Sequence, residues 1–169
     1  MSNIVLPKFK SATDFSRELR TNVEMYFRES KISKFATPSV KVKAVILLTS
    51  FFGAYLAILF LGLSIWSALA LCVIMGLAKA GIGMGLMHDA NHGSYYNNTN
   101  VNKYIGYLIN ILGGSAIVWK LQHNVLHHSF TNIEGHDGDI DAGGILRLSP
   151  NSPRKRIHKL QAFYAWILY

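Results

Sequence analysis

Hydrophobic positions fall into a few blocks separated by polar stretches. Residues 1–43 are polar and basic, with nine Lys/Arg against four Asp/Glu. Within this arm Ser11 and Thr13 stand just before Asp14, where capping side chains are favoured. Phe15, Leu19, Val23 and Tyr26 recur at helical spacing, with Arg17, Arg20 and Glu24 around the other sides. The pattern predicts an amphipathic helix from Asp14 into the low thirties. It fits two placements, flat on a lipid surface or packed on the rest of the protein with a solvated outer face. Pro38 marks a break before the next element. No short apolar core follows Met1 and the charged stretch is long, which excludes a signal peptide.

From Ala44 to Ala78 no residue is charged. One membrane helix needs about 20 apolar residues, so this run of 35 is too long for one span and fits two with a tight turn. Gly62 and Ser64 are the natural turn, and Trp66 stands where an interfacial aromatic is favoured. The expectation is a helical hairpin over residues 44–62 and 65–87. Its turn carries no Lys or Arg, and apart from Lys79 all basic residues lie in the N-terminal arm or after residue 100. The positive-inside rule then puts both flanks in the cytoplasm, with Lys79 snorkelling toward that side.

A second apolar stretch, Tyr104 to Trp119, is interrupted by Asn110, Gly113 and Gly114. It is short for a span and reads as a re-entrant or interfacial segment over residues 104–118. Residues 131–159 are polar and rich in Gly and Pro, hence mostly loop. A further apolar run occupies the end of the chain, residues 160–169, and reads as the start of another span. The fold class expected is all-α: an integral, multi-pass helical membrane protein with an arm (residues 1–43) and a membrane domain (residues 44–169).

Composition agrees with that class. Of the 169 residues, 50% are hydrophobic and only 15% charged, well under the roughly 25% usual for soluble domains. Disorder needs the opposite balance. The net charge of +8 is mostly flanking charge around the uncharged hairpin, so it does not call for nucleic acid. Cys72 is the one cysteine, which rules out an internal disulfide and any zinc site built on thiolates.

The seven histidines are unevenly placed. Five fall in two clusters, His88-Asp89-Ala90-Asn91-His92 and His123-Asn124-Val125-Leu126-His127-His128. His88 and His92 are four apart, as are His123 and His127, so on an α-helix each pair shares a face and can clasp one ion. His128 would be turned by about 100° from His127, letting one helix serve two metals. A single His-x-x-x-His pair is a weak signal and usually structural. Two pairs plus a third histidine, flanking membrane segments, are harder to set aside. An all-imidazole set suits iron or zinc best. To share a site the clusters must lie on one membrane face, so residues 104–118 cannot cross.

The segments HDANHGSYYNN and WKLQHNVLHHSFTNIEGHDGDID resemble the first two histidine boxes of membrane fatty-acid desaturases, in particular the acyl-lipid and acyl-CoA group that includes linoleoyl-CoA (Δ6-type) desaturases. The resemblance is strong from Met84 to Tyr169 and loose in the arm. It implies a cytosolic non-haem diiron centre that uses O2 and two electrons to place a cis double bond in an acyl chain. His88, His92, His123, His127 and His128 carry over as iron ligands. Asp89, Asn91, His136 and Asp137 are candidates to hydrogen-bond and orient them. Arg147, Arg154, Lys155 and Arg156 are candidates for an anionic head group such as CoA phosphate. Plain flanking charge beside the next span is the simpler account of that basic group. No haem histidine stands in residues 1–43, so no cytochrome b5 domain precedes the boxes. Electrons are then expected from a separate donor of ferredoxin or cytochrome b5 type.

One departure is serious. The family's third box, His/Gln-x-x-His-His, has no counterpart, since only His136 and His158 follow His128. Five imidazoles cannot fill the shells of two irons. The expectation is an N-terminal portion of a desaturase that is inactive alone. A related diiron hydroxylase and a non-catalytic membrane remnant stay open. Asp137, Asp139 and Asp141 alternate like a calcium loop, but Ala142 and Leu148 stand where an EF-hand needs Gly and Glu; with His136 these acids are instead expected to form a hydrogen-bonded loop near the metal region. A His-Glu-x-x-His protease reading of His88–His92 leaves the second cluster unexplained.

Overall fold

The computed structural model describes residues 13–168, and these are helical with no strand. Ser11 lies outside the described residues. The chain divides into two compact units, Met1–Ala116 and Ile117–Tyr169.

In the first unit, α1 runs Asp14–Ser30. Thr13 caps it by accepting from the Ser16 N–H, and Lys31 ends it in the left-handed region at φ 54°. The helix α2 covers Pro38–Phe60 and so begins ahead of the expected Ala44. The reason is local: Thr37 accepts from the Val40 N–H, and Pro38 sits at the first helical position, where its missing N–H costs nothing. The turn is the one expected, with Gly62 at φ 55° and Ser64 capping α3 through the Ser67 N–H. The helix α3 continues from Ile65 to Asn91, past the expected end at residue 87, so the first histidine cluster is its last turn. Both α2 and α3 are long and apolar enough to cross a bilayer. The protein is accordingly membrane-associated.

Small side chains bring the two long helices together: Ala44, Ala54 and Ala78 are buried. At Gly81 a methyl group would lie 2.7 Å from Leu47. The core is not spread evenly along the hairpin. Its buried cluster is Ala44, Ile82, Leu86, Ala90 and Tyr95, all toward the histidine end. At the turn end Phe60, Ile65 and Trp66 are more than three-quarters exposed, as side chains facing lipid are.

Helix α4, Thr99–Gly106, is capped by Asn98 and packs on the end of α3. Buried Asn102 accepts from the Tyr96 N–H at 2.8 Å and donates to the Tyr96 carbonyl at 2.7 Å, which fixes the loop after the first cluster. The Ala36 N–H donates to the Tyr95 carbonyl at 3.1 Å, tying that loop to the approach of α2. The apolar stretch after Tyr104 is broken: α5 is only Leu108–Ile111, Gly113 takes φ 96°, and Asn110 caps the next helix through the Ala116 N–H at 3.0 Å.

In the second unit, α6 (Ala116–Phe130) carries the second histidine cluster. A loop with a 3₁₀ turn at Gly138–Ile140 folds back on it. A second 3₁₀ turn, Arg156–Leu160, leads into α7, Gln161–Leu168.

Candidate metal centre

The first cluster sits on a helix whose other face is buried. Ile82, Leu86, Met87, Ala90 and Asn91 are all covered, so the end of α3 is fixed by packing and His88 and His92 are presented together. Their ring centres are 4.5 Å apart. His88 Nδ1 lies 3.1 Å from Asp89 Oδ1. With the proton on Nδ1 the carboxylate holds the ring and leaves Nε2 as a lone-pair ligand. Asn91 has a different task. Its amide donates to Met87 Sδ at 3.0 Å and to the Gly106 carbonyl at 3.3 Å, fastening α4 to α3. Gly106 has no room for even one methyl beside that amide. Burial pushes the Tyr95 phenol up, and the nearby Asp89 carboxylate pushes it further.

The winding of both helices changes at the histidines. Residues Ile82–Met87, directly before His88, and Lys120–His127, which include His123 and His127, are π-helical. A π turn closes i→i+5 hydrogen bonds, so residues five apart come into line. His128 follows this turn as the first residue of an α-helical one. His123 and His128 are five apart, and their ring centres are 4.9 Å from each other. His127 lies 5.1 Å from His123 and 5.3 Å from His128. Three imidazoles thus gather, with His128 nearer to His123 than α-helical winding throughout would leave it. Trp119 stacks on the far side of His123 at 4.5 Å.

Carboxylates from the 3₁₀ turn complete this cluster. Asp139 Oδ2 is 3.2 Å from His123 Nδ1 and 3.4 Å from His127 Nδ1. Asp137 Oδ1 is 3.0 Å from His127 Nδ1, and the Asp137 side chain is fully buried. Burial alone would raise its pKa. Hydrogen bonds from the Asn132 N–H, His127 and the Asp139 N–H outweigh that and hold it below the usual carboxylate range. It is therefore an anion at neutral pH, pinned at 2.7 Å by Asn132 and 3.0 Å by Asp139. Asp137 and Asp139 thus form a clamp on His123 and His127.

The donor atoms of His123, His127 and Asp139 all lie within 4.8 Å of one another. Imidazoles held at Nδ1 by carboxylates, with Nε2 left for a metal, suit iron, so these residues fit it. The sequence signal of Asp139 is the Asp-x-Asp alternation in the acidic run expected to form a loop near the metal region, and a 3₁₀ turn brings it to the side of Asp137. Trp119 had no such signal. His136 stands apart: its ring packs on Phe130, its Nδ1 is 3.5 Å from the Glu134 carbonyl, and its buried Nε2 has no hydrogen-bond partner among the described residues.

The basic group is partly committed to loop structure. The Arg147 guanidinium donates to the Ser152 carbonyl at 2.7 Å and to the Pro150 carbonyl. Lys155 donates to the Gly144 carbonyl at 3.1 Å. Arg154 and Arg156 are exposed, and Arg154 lines an open cleft of about 430 Å³ with Arg147, His158 and Trp166.

A family model for fatty acid desaturases matches residues 64–169. The chain is similar to an sn-1 linoleoyl-lipid 6-desaturase of Synechocystis sp., at 35% identity over 96% of this chain and 45% of that protein. A protein of the same description from Arthrospira platensis is 32% identical over 95% of this chain and 44% of its own length. An acyl-lipid (8-3)-desaturase of Physcomitrium patens is 32% identical over 96% of this chain and 36% of its own. The chain thus spans less than half the length of these relatives. No solved structure matches it significantly. With two helices of membrane-spanning length, one histidine cluster at the end of α3, a second on α6 and a family match over residues 64–169, the chain belongs to the fatty acid desaturase family.

Proposed function

We propose that the whole protein introduces a cis double bond into a fatty acyl chain, using O2, and that His88, His92, His123, His127 and His128 are ligands of its non-haem diiron centre. What supports this is the gathering of His123 and His127 in one π-wound turn with His128 directly after it, and Asp137 and Asp139 on the Nδ1 atoms of His123 and His127. An unactivated C–H bond is inert to acids and bases, and iron with oxygen supplies the oxidising power to break it. The chain's own residues fix imidazole orientation and keep Nε2 unprotonated for the metal.

The relatives act on acyl chains esterified in lipids, which favours an acyl-lipid over an acyl-CoA substrate here. Arg154 and Arg156 are the better placed of the basic group to meet a phosphate. Residues 104–118 are read as re-entrant, which puts both clusters, the arm and both ends of the hairpin on the cytoplasmic face. Electrons come from a separate ferredoxin or cytochrome b5 type donor. Five imidazoles leave two iron shells incomplete, so residues 1–169 alone are expected to form no double bonds.

The test is expression of the full-length protein in cells without such an enzyme, followed by mass spectrometry of the acyl chains. A new double bond that disappears in His123→Ala, together with iron in the purified protein, is the expected result. A hydroxylated chain would replace the desaturase reading by the hydroxylase one. No product and no iron would leave a non-catalytic membrane protein.

A further inference from the structure

Helix α1 has no buried residue. Phe15, Leu19, Val23 and Tyr26 form one apolar face, and all four are exposed, Phe15 at 71%. After the left-handed Lys31 the chain turns back, and Ile32 and Phe35 join Leu19, Val23 and Phe27 around a groove of about 1030 Å³. Water alone is a poor partner for a surface of that composition and extent.

Three observations say what covers it. Only residues 31–37 separate α1 from α2, so its end lies within about 30 Å of the first residue of a membrane-length helix. Phe15, Tyr26 and Phe27 stand on or beside the apolar face, phenylalanine being a side chain that surface helices turn into lipid and tyrosine one that settles at the boundary of lipid and water. Charge is the third. From Thr13 to Lys43 there are seven Lys/Arg against four Asp/Glu. Within α1 the charges nearly balance, and Glu18 and Glu29 border the apolar face opposite Arg20. The excess comes from Lys31, Lys34, Lys41 and Lys43, which follow α1 and begin α2. Positive charge is therefore concentrated where the helix approaches the span, as anionic head groups would favour.

We propose that α1 lies in the membrane surface, with Leu19, Val23 and Tyr26 in the acyl boundary and Lys31, Lys34, Lys41 and Lys43 among anionic phosphates. This decides between the two placements that the sequence leaves open for the arm.

The experiment uses the full chain with Cys72→Ala, reconstituted in vesicles of phosphatidylcholine with phosphatidylglycerol. Single cysteines replace Leu19, Val23, Tyr26, Thr21 or Arg28, each exposed, and carry a nitroxide label. Collision with oxygen, which partitions into lipid, is compared with collision with a water-soluble nickel chelate. The expected pattern is oxygen-dominated at 19, 23 and 26 and nickel-dominated at 21 and 28. In vesicles of phosphatidylcholine alone the contrast should shrink. Nickel-dominated relaxation at all five positions overturns the proposal. So does shielding of 19, 23 and 26 from both reagents, which would mean that a protein surface covers the helix. An unchanged contrast without phosphatidylglycerol overturns the role given to the lysines.

Discussion

The two histidine clusters are held in place by different forces. The first rides on a helix end with a dry back: Ile82, Leu86 and Ala90 are in the core, and Asn91 and Asn102 are buried behind it. The second has no buried residue in its π-wound turn, Lys120–His127. His123 and His127 are positioned there by a buried anion, Asp137, and by Asp139. Apolar packing tolerates no extra volume but is indifferent to charge. A hydrogen-bonded clamp tolerates modest repacking but fails when its charge or lone pairs are removed. The same kind of side chain can thus be presented by either means.

Substitutions at the clamp should have the largest effect. Asp137→Ala leaves the Asn132 and Asp139 N–H groups unpaired and releases His127, and iron content of the full-length protein should fall about 10–100-fold in affinity, read by metal analysis after dialysis. Asp137→Asn should lose less, because its amide oxygen still accepts. If both variants keep full iron, the clamp is not what positions the second cluster.

Packing faults at the first cluster come next. Gly106→Ala must push α4 off Asn91 and should cost about 1–3 kcal/mol in a denaturant titration. Asn102→Ala strands the Tyr96 N–H and carbonyl and should cost about 1–3 kcal/mol. The smallest effect is expected at Asp139→Asn. That carboxylate is 41% exposed and shares His127 with Asp137, so iron affinity should drop by less than about tenfold. A larger loss there than at Asp137 would show that Asp139 is itself a metal ligand.

The hairpin was legible because an uncharged run of that length has few alternatives, and the turn because Gly62 and Ser64 are the only breakers where one is needed. The start of α2 was legible in principle. Thr37-Pro38 is a helix-opening pair, but the onset of hydrophobicity at Ala44 is the more conspicuous signal. The four-residue spacing revealed the histidine pairs and their pairing on one face. It could not reveal π winding, because the same letters fit either hydrogen-bond register and only the packed helix selects one. Asp139 depends on a 3₁₀ turn in a loop, where hydrophobic periodicity carries no information.

The turn at Leu61–Ser64 has a practical consequence. Its nearest residues are exposed, and the buried cluster that supports His88 lies at the opposite end of the two helices. Added sequence there meets no packed neighbour, which is the condition under which insertions are tolerated. An epitope placed after Gly62 would therefore leave the histidine end undisturbed while reporting, by antibody access in sealed or opened membranes, which compartment the hairpin's tip faces.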